Sequence, residues 1–289
     1  MNKEQRAERE AKKRELDARI QTNGIIEVIR TIHLERVFMM AQRMRCELAL
    51  GAFLRTQEGW RVDLPEKDRK EIATRVLKMM DGSHEPGRHA SIIASSRAGS
   101  AVFIDQEELL TWNLEYAAKK LPVWDFWAKD VLGFGARSLG VVVGEAGDIG
   151  SYRDHGRLWK RMGLAVIDGI RQGGLSKLAS ADDWIEHGYN RPRRSRMYVI
   201  GDVMIKQVNG YYRDVYLQRK DYERQKAEAQ GLTVCPSAKI PKSGASDYIS
   251  DGHIHKKAQR YMEKKLLRHL WQKWRRAEKI LAQEEKVAA

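Results

Sequence analysis

The chain has 289 residues, 42% hydrophobic and 32% charged, which allows one or two domains of ~100–200 residues and favours helices with long charged faces over sheets. Eight Trp, ten Tyr and five Phe need a core, which excludes a disordered chain, and the 53 Lys and Arg against 39 Asp and Glu give a net charge of +14. No uncharged apolar run reaches the ~18 residues of a membrane span. The charged N-terminus lacks the apolar segment of a secretory signal, and two cysteines, Cys46 and Cys235, cannot build a disulfide framework. A cytoplasmic protein with no membrane partner is expected.

The positive charge is uneven. Residues 1–186 carry net +2 and residues 187–289 net +12. A polyanion touching the C-terminal part is the functional reading, with nucleic acid the first candidate. A solvated basic surface is the plain alternative.

Residues 1–22 place Glu and Lys or Arg three and four apart, the spacing of an exposed helix or coiled-coil arm. Asn23-Gly24 interrupts it. From Ile25 to Leu54 the pattern is helical, with Ile25, Ile29, Ile32, Leu34, Val37, Phe38, Ala41, Met44 and Leu48 as the apolar set. Pro65 can open a second helix, Glu66 to Met80, with Ile72, Val76 and Met79 inward. The two would pack as a hairpin over residues 1–80. Residues 81–106 are expected to be a loop or linker, since 81–101 are rich in Gly, Ser and His. Val102-Phe103-Ile104-Asp105 has the form of a nuclease strand ending in a carboxylate, but no further acidic strands follow. A helix with Leu110, Leu114, Ala118 and Leu121 then leads to Pro122.

Residues 107–208 hold the first specific motif. A short helix, Trp124 to Val131, meets Leu132-Gly133-Phe134-Gly135, and a second helix follows with Ala136, Leu139, Val142 and Val143 inward. This is a helix-hairpin-helix pattern. Glycines allow a tight turn and close approach of backbone. The free N–H groups opening the second helix then attract a phosphate. Gly133, Gly135, Ala136 and Arg137 are the candidate DNA contacts. A nucleotide-binding Gly loop fails on context, because no strand precedes it and no Lys-Ser/Thr follows. A purely structural turn between helices remains open.

A helix over Arg157 to Met162 ends at Gly163, and residues 168–192 read as a Gly/Ser/Asp loop with one short helix, Asp182 to His187, opened by Ser180 or Ala181. Arg191, Arg193, Arg194 and Arg196 cluster before an apolar helix containing Met197, Ile200, Val203 and Met204. Arginine suits bidentate phosphate contact. The helix dipole gives cations nothing at that end, which favours a functional use.

Residues 209–289 form a basic helical region. Tyr211 to Gln230 is a charged helix and 231–250 a Pro/Ser/Lys loop. The last helix, His253 to about Glu284, puts Met262, Leu266, Leu270, Trp274, Ala277 and Leu281 on one face, with Lys264, Lys265 and Arg268 among the cations around it as DNA-binding candidates. Tryptophans on that apolar face read as core rather than base-stacking platforms. His253, His255 and Cys235 lack the second cysteine and C-x-x-C spacing of a zinc site, so no metal site is assigned.

Three segments in order, LGFGARSLGVVVGEAGDIGSYRDHGRLWKRMGL, GYNRPRRSRMYVIGDVMIK and YMEKKLLRHLWQKWRRA, resemble the C-terminal domain of the insertion-sequence 110 type transposases. The resemblance runs from Leu121 to Arg276. It rests on Gly133, Gly135, Gly147-Asp148-Ile149, Tyr152, Leu158, Gly163-Leu164, Gly188, Asn190, Arg193 and Arg194. It implies DNA recombination in a bacterial or phage mobile element, with double-stranded DNA and structured RNA as partners. Full-length members add an acidic DEDD nuclease domain, joined through a helical coiled coil. No DEDD set is found in residues 1–120, so no cofactor is evident, and divalent metal would enter only with a partner supplying that site. A homodimer through the N-terminal helices is expected. The family's serine nucleophile belongs in the loop after Gly163-Leu164, where Arg171 and Gln172 stand instead; Ser176, past the glycines, is the nearest candidate. The expectation is a mainly α DNA-binding, transposase-like protein, the alternative a non-catalytic accessory protein binding DNA or structured RNA.

Overall fold

The computed structural model describes residues 3–176, 178–241 and 243–288, so Met1 and Asn2 of the first expected helix lie outside it. The described chain is mainly α-helical. It divides into two compact units: one of residues up to Thr31 and from Leu114 onward, the other Ile32–Asn113.

Helix α1 (Lys3–Asn23) carries ion pairs Glu8–Lys12 at 2.6 Å and Glu10–Lys13 at 2.7 Å. Gly24, at φ +79°, takes the left-handed conformation that L-residues resist, and α2 (Ile25–Gln57) starts at the next residue.

In the unit Ile32–Asn113, α2 packs with α3 (Glu66–Asp81) and the start of α4 (Ala90–Lys119) around Leu54, Val76, Met79 and Ile93. Pro65 is the cap before α3 rather than its first residue. Arg36 and Arg43 of α2 reach Glu107 of α4 at 3.4 and 3.0 Å. Around Glu58 gather His89 (2.9 Å), Arg75 (3.3 Å) and Arg88 (3.4 Å), and the His89 contact above all holds its carboxyl below the usual range. Leu34, Phe38, Met44 and Leu48, read as part of an apolar face, are exposed. The loop expected over 81–101 is corrected. It holds only a turn and one 3-10 stretch, Gly87–His89, before α4 begins, and Val102–Asp105 is helix, not strand. Ala favours helix, and packing of Ile93 into the core outweighs the weaker helix preference of Ser; only Gly82 and Gly87 there adopt positive φ.

In the other unit, Asp17 of α1 holds Lys120 at 2.8 Å and accepts a hydrogen bond from Tyr116. The helical elements are α5 (Pro122–Phe126), α6 (Ala136–Ala146), α7 (His155–Arg161), α8 (Ala181–His187), α9 (Arg191–Ile205), α10 (Tyr211–Ala229) and α11 (Asp251–Ala288). Helices α5, α7, α9 and α10 pack on α11. Its apolar stripe, Ile254, Ala258, Met262, Leu266, Leu270, Trp274 and Ala277, is buried, whereas Leu281 lies beyond the packing and is 41% exposed. Each fully buried Leu or Met contributes ~1.5–3 kcal/mol. Val203, expected inward on α9, is exposed.

Two short pairings escape the sequence pattern. Strands β1 (Val166–Ile167) and β2 (Ile170–Arg171) form an antiparallel hairpin. Strands β3 (Thr233–Cys235) and β4 (Tyr248–Ser250) pair in parallel, tying the two ends of the 231–250 loop together. Cys46 in one unit and Cys235 in the other are free thiols, each partly exposed. Among the described residues no helix is long and apolar enough to cross a membrane.

Candidate nucleic-acid interface

The Gly-Phe-Gly turn gives its two glycines different duties. Gly133 has φ +81°, and a Cβ there would stand 2.7 Å from the Gln207 side chain and 2.9 Å from the Met204 Cα of α9. It is needed for packing. Gly135 caps α6 at φ −65°, ψ 177°, a conformation open to any residue, and nothing lies within 4 Å of where its Cβ would be. That space opens onto the first turn of α6, whose N–H groups have no side-chain cap. Phe134 plugs the core between them, fully buried and 6.3 Å from the Trp127 ring. The helix expected over Trp124–Val131 is two pieces, α5 and a 3-10 stretch, Ala128–Asp130, so the motif is a broken-helix hairpin. Ala136 is buried and offers only its backbone. Arg137 is exposed but paired with Glu115 at 3.0 Å.

The four clustered arginines lie inside α9, in its first two turns, and are not equivalent. Asn190 caps the helix by accepting from the Arg193 amide. Arg193 and Arg196 both bind Glu145, the last charged residue of α6. Arg194 turns the other way to Glu263 of α11. Arg191 stays exposed. Glu145 and Glu263 carry no local signal as partners, apart from Glu263 sitting on the apolar stripe between Met262 and Leu266. Glu263 is wholly buried, and burial pushes its carboxyl up to about 7 against the pull of Arg194.

On one side of the first turn of α9, Arg153, Arg157, Lys160 and Arg161 of α7 and its approach line a cleft of about 510 Å³ with Arg193. No carboxylate lines it. Asp154, which caps α7, sits 4.0 Å from Arg157. On the other side, Arg171, Arg194, His253, Lys256 and Arg260 line a second cleft of about 430 Å³.

Along α11, Lys264 lies 5.0 Å from the Trp159 ring centre and Lys265 5.3 Å from that of Tyr211. The Trp159 indole N–H donates to the Lys264 carbonyl at 2.9 Å. Burial holds the Lys264 ammonium below its usual range. Arg268 is exposed.

Ser176 is exposed, and its hydroxyl oxygen accepts from the Leu178 amide at 3.1 Å. The residue the sequence left unexplained, Gln172, is buried and clamps the β1–β2 hairpin. Its Oε1 accepts from the Ala165 amide at 2.8 Å, and its Nε2 donates to the carbonyls of Lys160 (3.0 Å) and His187 (2.6 Å). Gly173 beside it has φ +72°, and a Cβ there would meet the Tyr189 ring at 2.7 Å. Among the described residues no group of three or more His, Cys, Asp or Glu could hold a metal ion.

The chain matches no protein-family model, no curated protein and no solved structure.

Proposed function

We propose that the protein binds double-stranded DNA by its phosphate backbone, as a DNA-handling component of transposition-type recombination in a bacterial or phage mobile element. The observation that carries the reading is the α7 cleft, where Arg153, Arg157, Lys160 and Arg161 converge with no carboxylate in the lining. Cations so arranged neutralise phosphates without reading bases. The open first turn of α6 at Gly135 supports it with a second phosphate contact of a different kind. The ordered segments from Leu121 to Arg276 supply the recombination context. The reading is one of DNA handling and assigns no role to Ser176, whose hydroxyl oxygen accepts from the Leu178 amide.

The test is fluorescence anisotropy with a generic duplex across a salt series, with a structured RNA in parallel. Each phosphate contact adds ~0.9 to the negative log–log slope, so a steep slope is expected and should fall when Arg157 and Arg161 are changed to Gln. No duplex binding at low salt overturns the reading. Tighter binding to the RNA replaces it with that of an RNA-binding accessory protein.

A further inference from the structure

The cleft on the far side of α9 draws its cations from three separate elements, whereas all the cations of the α7 cleft but Arg193 come from α7 and its approach. Arg171 comes from β2, Arg194 and Ser195 from α9, and His253, Lys256 and Arg260 from α11. On α11 the steps of three and four residues put the last three on one stripe. No carboxylate lines the cleft. Among the described residues, the side chains of Arg171, Lys256 and Arg260 form no ion pair or hydrogen bond. Arg194 spends one edge on Glu263 at 2.9 Å, and its Nη1 is buried without a partner.

Like charges gathered this way repel, and the cleft shows it. Arg260 is held below its usual range by burial and then by the Arg171 and Arg194 guanidiniums. His253 is held down by burial and then by Lys257, Arg260, Arg171 and Lys256. Glu263 lies beneath Arg194 with its carboxyl pushed up to about 7 by burial, so near neutral pH it offsets only part of this charge. A group with two negative charges and several acceptor oxygens would relieve the repulsion from three directions at once.

We infer that this cleft is a site for a phosphate monoester, and that the terminal phosphate of a DNA strand is its occupant. A monoester carries ≈ −1.5 to −2 charge at pH 7 and three terminal oxygens. An internal phosphodiester carries one charge and two free oxygens, and so would leave more of this cleft's repulsion in place. Tyr198, which lines the cleft and is 38% exposed, offers a ring for the terminal sugar or base. The choice of a strand end as the source rests on the DNA-binding reading above.

The experiment uses the full chain and one duplex sequence carrying an internal fluorophore, with ends bearing 5′-phosphate, 3′-phosphate or only hydroxyls. Inorganic phosphate and a nucleoside monophosphate are titrated in parallel by calorimetry. One phosphorylated end is expected to bind about tenfold tighter than the hydroxyl end, ~1.4 kcal/mol. Arg260→Gln and Arg171→Gln should each abolish that preference, Arg260→Lys should restore part of it, and thermal melts of all variants should confirm the fold. Equal affinity for all ends with the duplex still bound overturns the strand end while leaving DNA binding intact. If the small phosphates then bind and Arg260→Gln removes them, the occupant is a free phosphomonoester and the strand end is rejected. If neither they nor a phosphorylated end is preferred, the site itself is rejected. Loss of all duplex binding rejects the functional reading instead.

Discussion

Arg194 of α9 and Glu263 of α11 form an ion pair at 2.9 Å, with the Glu263 side chain wholly buried beneath it. Gly201 makes the room, because a Cβ there would come within 2.6 Å of the Glu263 carboxylate. Burial outweighs the arginine and lifts the carboxyl to about 7. A folded value above the unfolded one gives stability that is complete below about pH 4.5 and lost as pH rises through about 7. The difference in melting temperature between wild type and Glu263→Gln should therefore change between pH 5 and pH 8, with wild type losing relative to the variant as pH rises. A difference that stays constant with pH would refute the assignment.

Gly133→Ala and Gly135→Val should separate packing from contact. The first forces a side chain into left-handed backbone against Met204 and should cost on the order of 1–3 kcal/mol. The second enters open space and should shift the melting temperature far less, yet weaken duplex binding by crowding the first turn of α6. Unchanged affinity in a folded Gly135→Val protein removes the turn from the interface.

Gln172→Ala strands the Ala165 amide and the carbonyls of Lys160 and His187. Buried groups left unpaired cost ~1–3 kcal/mol each, less where water enters. A total on the order of 3 kcal/mol is expected from denaturant titration. Gln172→Ser should be no better, since a hydroxyl is too short to span the three partners.

In the Ile32–Asn113 unit, Glu58 is the charge on which His89, Arg75 and Arg88 meet. Its lowered carboxyl contributes stability above the usual glutamate range and loses it as pH falls through the lowered value. Glu58→Gln should destabilise this unit at pH 7 and flatten its acid transition, which hydrogen exchange of the α3 amides would report.

Where the fold was legible, one local rule sufficed. The apolar stripe of α11, the Ser180 cap of α8 and the turn after Leu132 follow from spacing and residue type. The misreadings have two physical sources. Segment 90–106 is helical because tertiary packing of Ile93 overrides a composition that resembles a loop. The arginines of α9 read as phosphate contacts without ion-pair partners in view, because those partners are distant in sequence, Glu145 nearly fifty residues before and Glu263 nearly seventy after. Strands of two and three residues are too short for alternation to register. Gln172 is a matter of reach rather than pattern, so only coordinates reveal its clamp.

Cys46 and Cys235 fall one in each compact unit, and both are partly exposed. Maleimide dyes placed on them would make a donor–acceptor pair with no engineered mutation, because the chain has no other thiol to block. Single-molecule energy transfer across that pair would then follow any rearrangement of the two units as duplex is added. Replacing either thiol by serine would leave the other as the anisotropy reporter for the titrations, so two native residues supply the handles for both equilibrium and conformational measurements.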